Sequence, residues 1–95
     1  MAFRVEITPS AKKLIKKFSL ELKEKVVTEA YKITENLYQH EKLSGPLSKF
    51  YSWHFSFKGI EYRIAYQVFN NENRIVIVLV GTRENFYEKL KKLFD

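Results

Sequence analysis

The stretch "YRIAYQV", residues 62–68, decides the fold. Tyr62, Ile64, Tyr66 and Val68 alternate with Arg63, Ala65 and Gln67, the period of a strand with one buried face. The aromatic side, with Tyr62 and Tyr66 as structural residues, marks the core. Arg63 therefore points the other way. Of the 17 basic residues only four are arginine (Arg4, Arg63, Arg74 and Arg83), so an arginine in mid-strand needs a chemical reason.

Just upstream the same period recurs. Tyr51, Trp53, Phe55 and Phe57 share one face, and Ser52, His54 and Ser56 share the other. Gly59 lies between the two runs, so they fold back as a hairpin, and residues equidistant from the turn pair. That sets Arg63 roughly opposite His54, with parity protected by the buried aromatics. Downstream, "NNEN" makes a second turn. "RIVIVLV", residues 74–80, is apolar on both faces and reads as a central strand covered on both sides, with Gly81 stopping the sheet.

Working toward the N-terminus, Gly45 and Pro46 end a helical region. In it, Ser19 caps a helix whose stripe is Leu22, Val26, Ala30, Ile33 and Leu37. Before that, Ser10 is expected to cap a shorter helix carrying Ala11, Leu14, Ile15 and Phe18. "FRVEI", residues 3–7, alternates as a short strand. The two helices make an αα-hairpin that needs a sheet to cover its apolar faces. Lys12, Lys13, Lys16, Lys17, Lys23 and Lys25 fill the outer, solvated faces. A last helix is expected over residues 83 to 94, with Phe86, Leu90, Leu93 and Phe94 as its stripe. The expected fold is α+β, in the order β-α-α-β-β-β-α. A mostly antiparallel four-stranded sheet carries the αα-hairpin on one face and is open on the other, with a C-terminal helix. Residues 1–95 suit one domain with a modest core.

No cysteine is present, which removes disulfides, thiolate ligands and thiol nucleophiles and fits a reducing cytoplasm. The start of the chain lacks the apolar run of a signal peptide, and "IVIVLV" is too short to span a bilayer; no membrane association is expected. The formal charge of +6 attracts polyanions through a sequence-independent term. No phosphate loop, two-histidine metal spacing or nucleophile elbow occurs, and His40 reads as surface. Neither cofactor nor metal is expected.

On the open face the hairpin gathers His54 and Arg63, with Arg83 just past the last strand. Tyr87, four residues on, lies on the same side of the last helix as Arg83. A guanidinium binds phosphate oxygens with a fixed fork and keeps its proton, which a lysine does with less geometric control. Structural roles are open to the same residues. Arg63 is placed to pair with Glu61, Arg83 to charge-pair near Glu84, Tyr87 to pack, and His54 to sit as a partly exposed strand histidine.

These residues also carry a resemblance. "LSGPLSKFYSW", "EYRIAYQV" and "IVIVLVGTRENFY", in this order, resemble the RelE/ParE superfamily of toxin–antitoxin systems over essentially the whole chain, and its RelE-like branch most. "GTRENFY" is the most discriminating segment. The resemblance implies a toxin of a toxin–antitoxin pair: a ribosome-dependent, metal-independent endoribonuclease that cleaves mRNA in the A site and stops translation. It also implies a cytoplasmic location, a small cognate antitoxin with an acidic or amphipathic helix, and operator DNA reached through that antitoxin. The same resemblance implies that Arg63, Arg83 and Tyr87 are catalytic; His54 is the candidate base, on the ordinary chemistry of an imidazole near neutral pH. Ser52, Lys49 and Lys58 are expected to contact RNA. His54 and Ser52 stand where the best-studied RelE type has lysines. The alternatives are a ParE-like, non-enzymatic inhibitor of DNA gyrase and a binding module without cleavage.

Overall fold

The computed structural model describes residues 3–37 and 41–94; His40 lies outside the described residues. The elements are β1 (Arg4–Ile7), α1 (Pro9–Lys16), α2 (Leu20–Glu35), β2 (Glu41–Lys42), β3 (Tyr51–Phe57), β4 (Ile60–Phe69), β5 (Arg74–Thr82) and α3 (Phe86–Leu93). The sheet order is β1-β5-β4-β3-β2. Only the β1–β5 pair is parallel; the others are antiparallel. The α+β architecture is the expected one, with one addition. β2, two residues long, extends the four strands along the β3 edge, pairing Lys42 with Tyr51.

The αα-hairpin forms where its caps direct it. Ser19 accepts the Leu22 amide at 3.2 Å and starts α2, as expected. At α1 the cap is Thr8, which accepts the Ala11 amide at 3.3 Å. Ser10, the expected cap, sits inside the first turn, because Pro9 with its fixed φ and missing N–H takes the first helical position. Both helices lay their stripes on one face of the sheet. There Leu22, Val26, Ala30 and Ile33 meet Trp53, Phe55, Ile64, Tyr66, Ile75 and Ile77. Tyr66 is fully buried, and its hydroxyl donates to the Leu37 carbonyl at 3.0 Å. Burial, then the neighbouring Tyr51, pushes that phenol well above its ordinary pKa.

One charge sits inside this layer. Glu29 is buried on α2, where its Oε1 accepts the Trp53 indole N–H at 2.8 Å. Its Oε2 meets Lys25 Nζ at 3.0 Å and Lys32 Nζ at 3.1 Å. Burial alone would raise the carboxyl's pKa. The Trp53 hydrogen bond and the two lysines outweigh it and hold the group below its usual value.

The opposite face is not fully open. Phe50, Ala65, Val78, Leu79, Phe86 and Leu90 form a second small core there, with Leu43 at its margin. β4 and β5 present apolar side chains on that face, and α3 with the segment before β3 covers them. α3 starts at Phe86, later than expected. Arg83 to Asn85 form a turn with Asn85 in the left-handed region (φ 56°), a conformation Asn tolerates. Leu93 and Phe94 extend past the covered part and are exposed. Gly81 does not stop the sheet; β5 runs through it to Thr82.

Candidate functional site

The β3–β4 hairpin closes on a two-residue turn, Lys58-Gly59, between the paired residues Phe57 and Ile60. Both turn residues have positive φ (51° and 78°), the geometry whose twist matches a hairpin. From this turn the register follows: Ser56 opposite Glu61, His54 opposite Arg63, Ser52 opposite Ala65. The expected His54–Arg63 pair is therefore present, on the face away from the αα-hairpin.

A β-bulge brings the third strand into phase. Between β4 and β5 the register shifts at Ala65/Tyr66, so Tyr66 pairs with Ile77 and Ala65 with Leu79, leaving Val78 as the extra residue. Beyond it Gly81 pairs with Arg63 and shares its face. The ladder continues one bond further, the Arg83 amide donating to the Glu61 carbonyl at 3.2 Å. Arg83 thus leaves the sheet beside Glu61, not from within a helix.

Arg63 is largely buried and doubly engaged. Its Nη2 meets Glu61 Oε2 at 3.2 Å, and its Cζ lies 5.1 Å from the centre of the Tyr87 ring, a cation–π contact. Tyr87 stands edge-on to Phe86, with 5.7 Å between centroids. Both readings of these residues hold together: Arg63 pairs with Glu61, Tyr87 packs, and the two touch each other. His54 is half-buried on the same face, with its Nε2 shielded from solvent. Arg83 is exposed and is the one arginine with no ion pair among the described residues. It borders a cleft of about 770 Å³ whose walls include Ser56, Glu61, Thr82 and Glu84.

Three other candidates fall elsewhere. Ser52 is fully buried, and its hydroxyl has no hydrogen-bond partner among the described residues; the second core covers it. Lys58 reaches to the helical side, its Nζ 2.9 Å from Glu21 Oε2. Lys49 lies over the Phe50 and Phe94 rings at 5.3 and 5.2 Å, at the far end of α3 from Tyr87. Lys42 was not singled out by the sequence, yet with Leu43, Ser44 and Leu47 it forms a small pocket against Tyr87. A two-residue strand has too short a period to announce such a neighbour. Among the described residues no three potential metal ligands converge.

The model of the ParE-like toxin of type II bacterial toxin–antitoxin systems matches residues 5–91. No curated protein matches the chain in sequence. Among solved structures, the chain is similar to the free E. coli toxin RelE in an arginine-to-alanine double mutant, with TM-score 0.77 and 18% identity over 100% of both chains. The toxin–antitoxin complex RelBE2 from Mycobacterium tuberculosis matches with TM-score 0.73 and 21% identity, over 87% of this chain and 100% of that one. The archaeal RelE–RelB complex from Pyrococcus horikoshii OT3 matches with TM-score 0.57 and 17% identity, over 88% and 98% of the two chains. At these identities the likeness is one of fold.

Proposed function

Since the chain belongs to the ParE-like toxin family of type II bacterial toxin–antitoxin systems, we propose that its toxic act is ribosome-dependent cleavage of mRNA in the A site. The observation that carries this reading is the convergence of Arg63, His54 and Tyr87 on one face, with Arg83, which has no ion pair among the described residues, at the edge of an adjoining cleft. A gyrase inhibitor or a plain binding module needs no such cluster.

The reaction is attack of an RNA 2′-oxygen on the adjacent phosphorus. The bond from phosphorus to the 5′-oxygen breaks, leaving a 2′,3′-cyclic phosphate and a 5′-hydroxyl. Arg63 and Arg83 stabilise the charge gathering on the phosphoryl oxygens, and donors aimed at developing charge supply the largest share of such catalysis. His54 takes the 2′-proton, imidazole being a common general base in such chemistry. Its shielded Nε2 makes Nδ1 the nitrogen that serves. Arg83, exposed at the cleft, hydrogen-bonds the leaving 5′-oxygen, which takes its proton from water to become the 5′-hydroxyl. Tyr87 stacks on a base or orients the phosphate. None of these steps calls on a metal or cofactor.

In this reading the protein works in the cytoplasm with ribosomes and message, and a small antitoxin with an acidic or amphipathic helix silences it and links it to operator DNA. Solved relatives of this fold include complexes of RelE with RelB. No described helix is long and apolar enough to cross a membrane.

The test is to add the purified protein to a reconstituted translation reaction and map message ends by primer extension, with and without ribosomes. Cuts in A-site codons are expected only with ribosomes, and Arg83→Ala is expected to slow them at least a hundredfold, the usual cost of losing one such donor. An intact message with wild-type protein rejects the nuclease. The family model favours one second reading, inhibition of DNA gyrase, and a supercoiling assay on the same preparation tests it.

A further inference from the structure

Glu61 touches both arginine positions of the site: its side chain holds the Arg63 guanidinium, and its main chain fixes the backbone of Arg83. Its Oε2 accepts Arg63 Nη2 at 3.2 Å and Arg63 Nε at 3.4 Å. Its main-chain carbonyl accepts the Arg83 amide at 3.2 Å. A guanidinium offers paired hydrogens along two kinds of edge. On Arg63 the Nε/Nη2 edge is taken by one carboxylate oxygen, and its Cζ stands over the Tyr87 ring. Among the described residues the end edge, Nη1 with the second Nη2 hydrogen, has no hydrogen-bond acceptor and can take a phosphate.

We propose that Glu61 is a positioning residue whose carboxylate aims the Arg63 guanidinium at one backbone phosphate of single-stranded RNA, beside the point where its main-chain carbonyl holds the backbone of Arg83. The cleavage part of this inference rests on the nuclease reading above; the phosphate geometry does not. A long cation fixed before substrate arrives does not have to be ordered during the reaction. The carboxylate also has an opposite effect, because its negative charge repels the RNA backbone it helps to orient. Positioning and repulsion act on different quantities, the rate of the bound complex and its affinity. That separates the role from a merely structural one.

Glu61→Gln removes the charge but keeps an oxygen that accepts from Arg63; Glu61→Ala removes both. A 2′-O-methylated single-stranded RNA, which has no 2′-hydroxyl to attack, measures affinity alone. Both variants are expected to bind it about threefold more tightly at low salt. Ribosome-dependent cleavage at saturating protein is expected to fall on the order of tenfold in Glu61→Ala and less in Glu61→Gln. With arginine-labelled wild-type protein, the Arg63 and Arg83 Nε–H resonances are expected to shift with a common midpoint as that RNA is added. In Glu61→Gln the RNA-free Arg63 Nε–H resonance is expected to move and its shift on RNA addition to shrink, with a smaller effect on Arg83. If Glu61→Ala does not fold, the Glu61→Gln affinity and resonances decide alone. Unchanged cleavage in Glu61→Ala, weaker binding in both variants, or arginine signals indifferent to the substitution overturns the inference. A wild type that cleaves nothing but shows the coupled arginine shifts ends the nuclease reading and leaves the role of Glu61 standing.

Discussion

A lysine at position 52 would have to put its ammonium where Ser52 is fully buried, beneath the second core. The resemblance to RelE sets a lysine at this place, and the packing here explains why this chain carries a small side chain. Ser52→Lys is expected to destabilise the fold by about 3 kcal/mol or more, as an unpaired buried charge does. Ser52→Ala is expected to be neutral or slightly stabilising, since it removes a hydroxyl with no partner among the described residues. Chemical denaturation of the two variants checks this, and a stable Ser52→Lys protein would mean that the face opens at that point. The pairing of His54 with Arg63 was legible because two alternating runs flank one glycine. The burial of Ser52 was not, because nothing in its own strand shows that α3 and the preceding segment fold over it.

At the scale of elements, Glu29 ties α2 to β3. Its position in the helix reads as one more exposed glutamate among lysines, and only the indole of Trp53, 24 residues on, turns it inward. Because the folded-state pKa is depressed, the stabilisation is fully present above the unfolded carboxylate value of about 4.3 and is lost as pH falls through the folded one. Glu29→Gln keeps an acceptor for Trp53 but loses both lysines. It is expected to lower the melting temperature at pH 7 and to bring variant and wild type together at pH 3. Parallel curves across that range would remove Glu29 from the acid response. The bulge at Val78 was equally hidden, for a different reason. In "RIVIVLV" both faces are apolar, so the residue at which inside and outside exchange leaves no mark. Without that exchange Gly81 would face the αα-hairpin, and Arg83 would leave the sheet out of phase with Arg63.

Across the whole molecule the charge of +6 is spread unevenly. Arg4 and Arg74 are bound to Glu6, with Glu72 also on Arg74, at the β1–β5 edge. Lys58 leans to the helices and Lys49 to the end of α3. Net charge therefore overstates what an RNA strand meets at the site. Binding of single-stranded RNA is expected to weaken with salt, and Arg83→Ala is expected to reduce the slope of log K against log salt by about 0.7. Lys58→Ala is expected to leave the slope unchanged. Equal effects of the two substitutions, measured by titration at several salt concentrations, would spread the footprint over the whole surface. The fold class and the arginine–histidine face were readable from periodicity, but the distribution of free cations was not, because ion pairs form across elements far apart in sequence.

The parallel pairing of β1 with β5 joins Arg4 to Arg74, which puts the chain's earliest strand beside one of its latest. During synthesis, β1 and both helices emerge with no surface to cover their apolar stripes. β5 supplies the inner strand between β1 and β4 and leads directly into the arginine of the cleft. Contacts of such long sequence separation form late and fold slowly. A nascent copy is accordingly an unfinished sheet with sticky helices until its final third has left the ribosome, and the guanidiniums cannot come together before then. If the proposed activity holds, the machine that makes this chain is shielded from it until the chain is nearly complete.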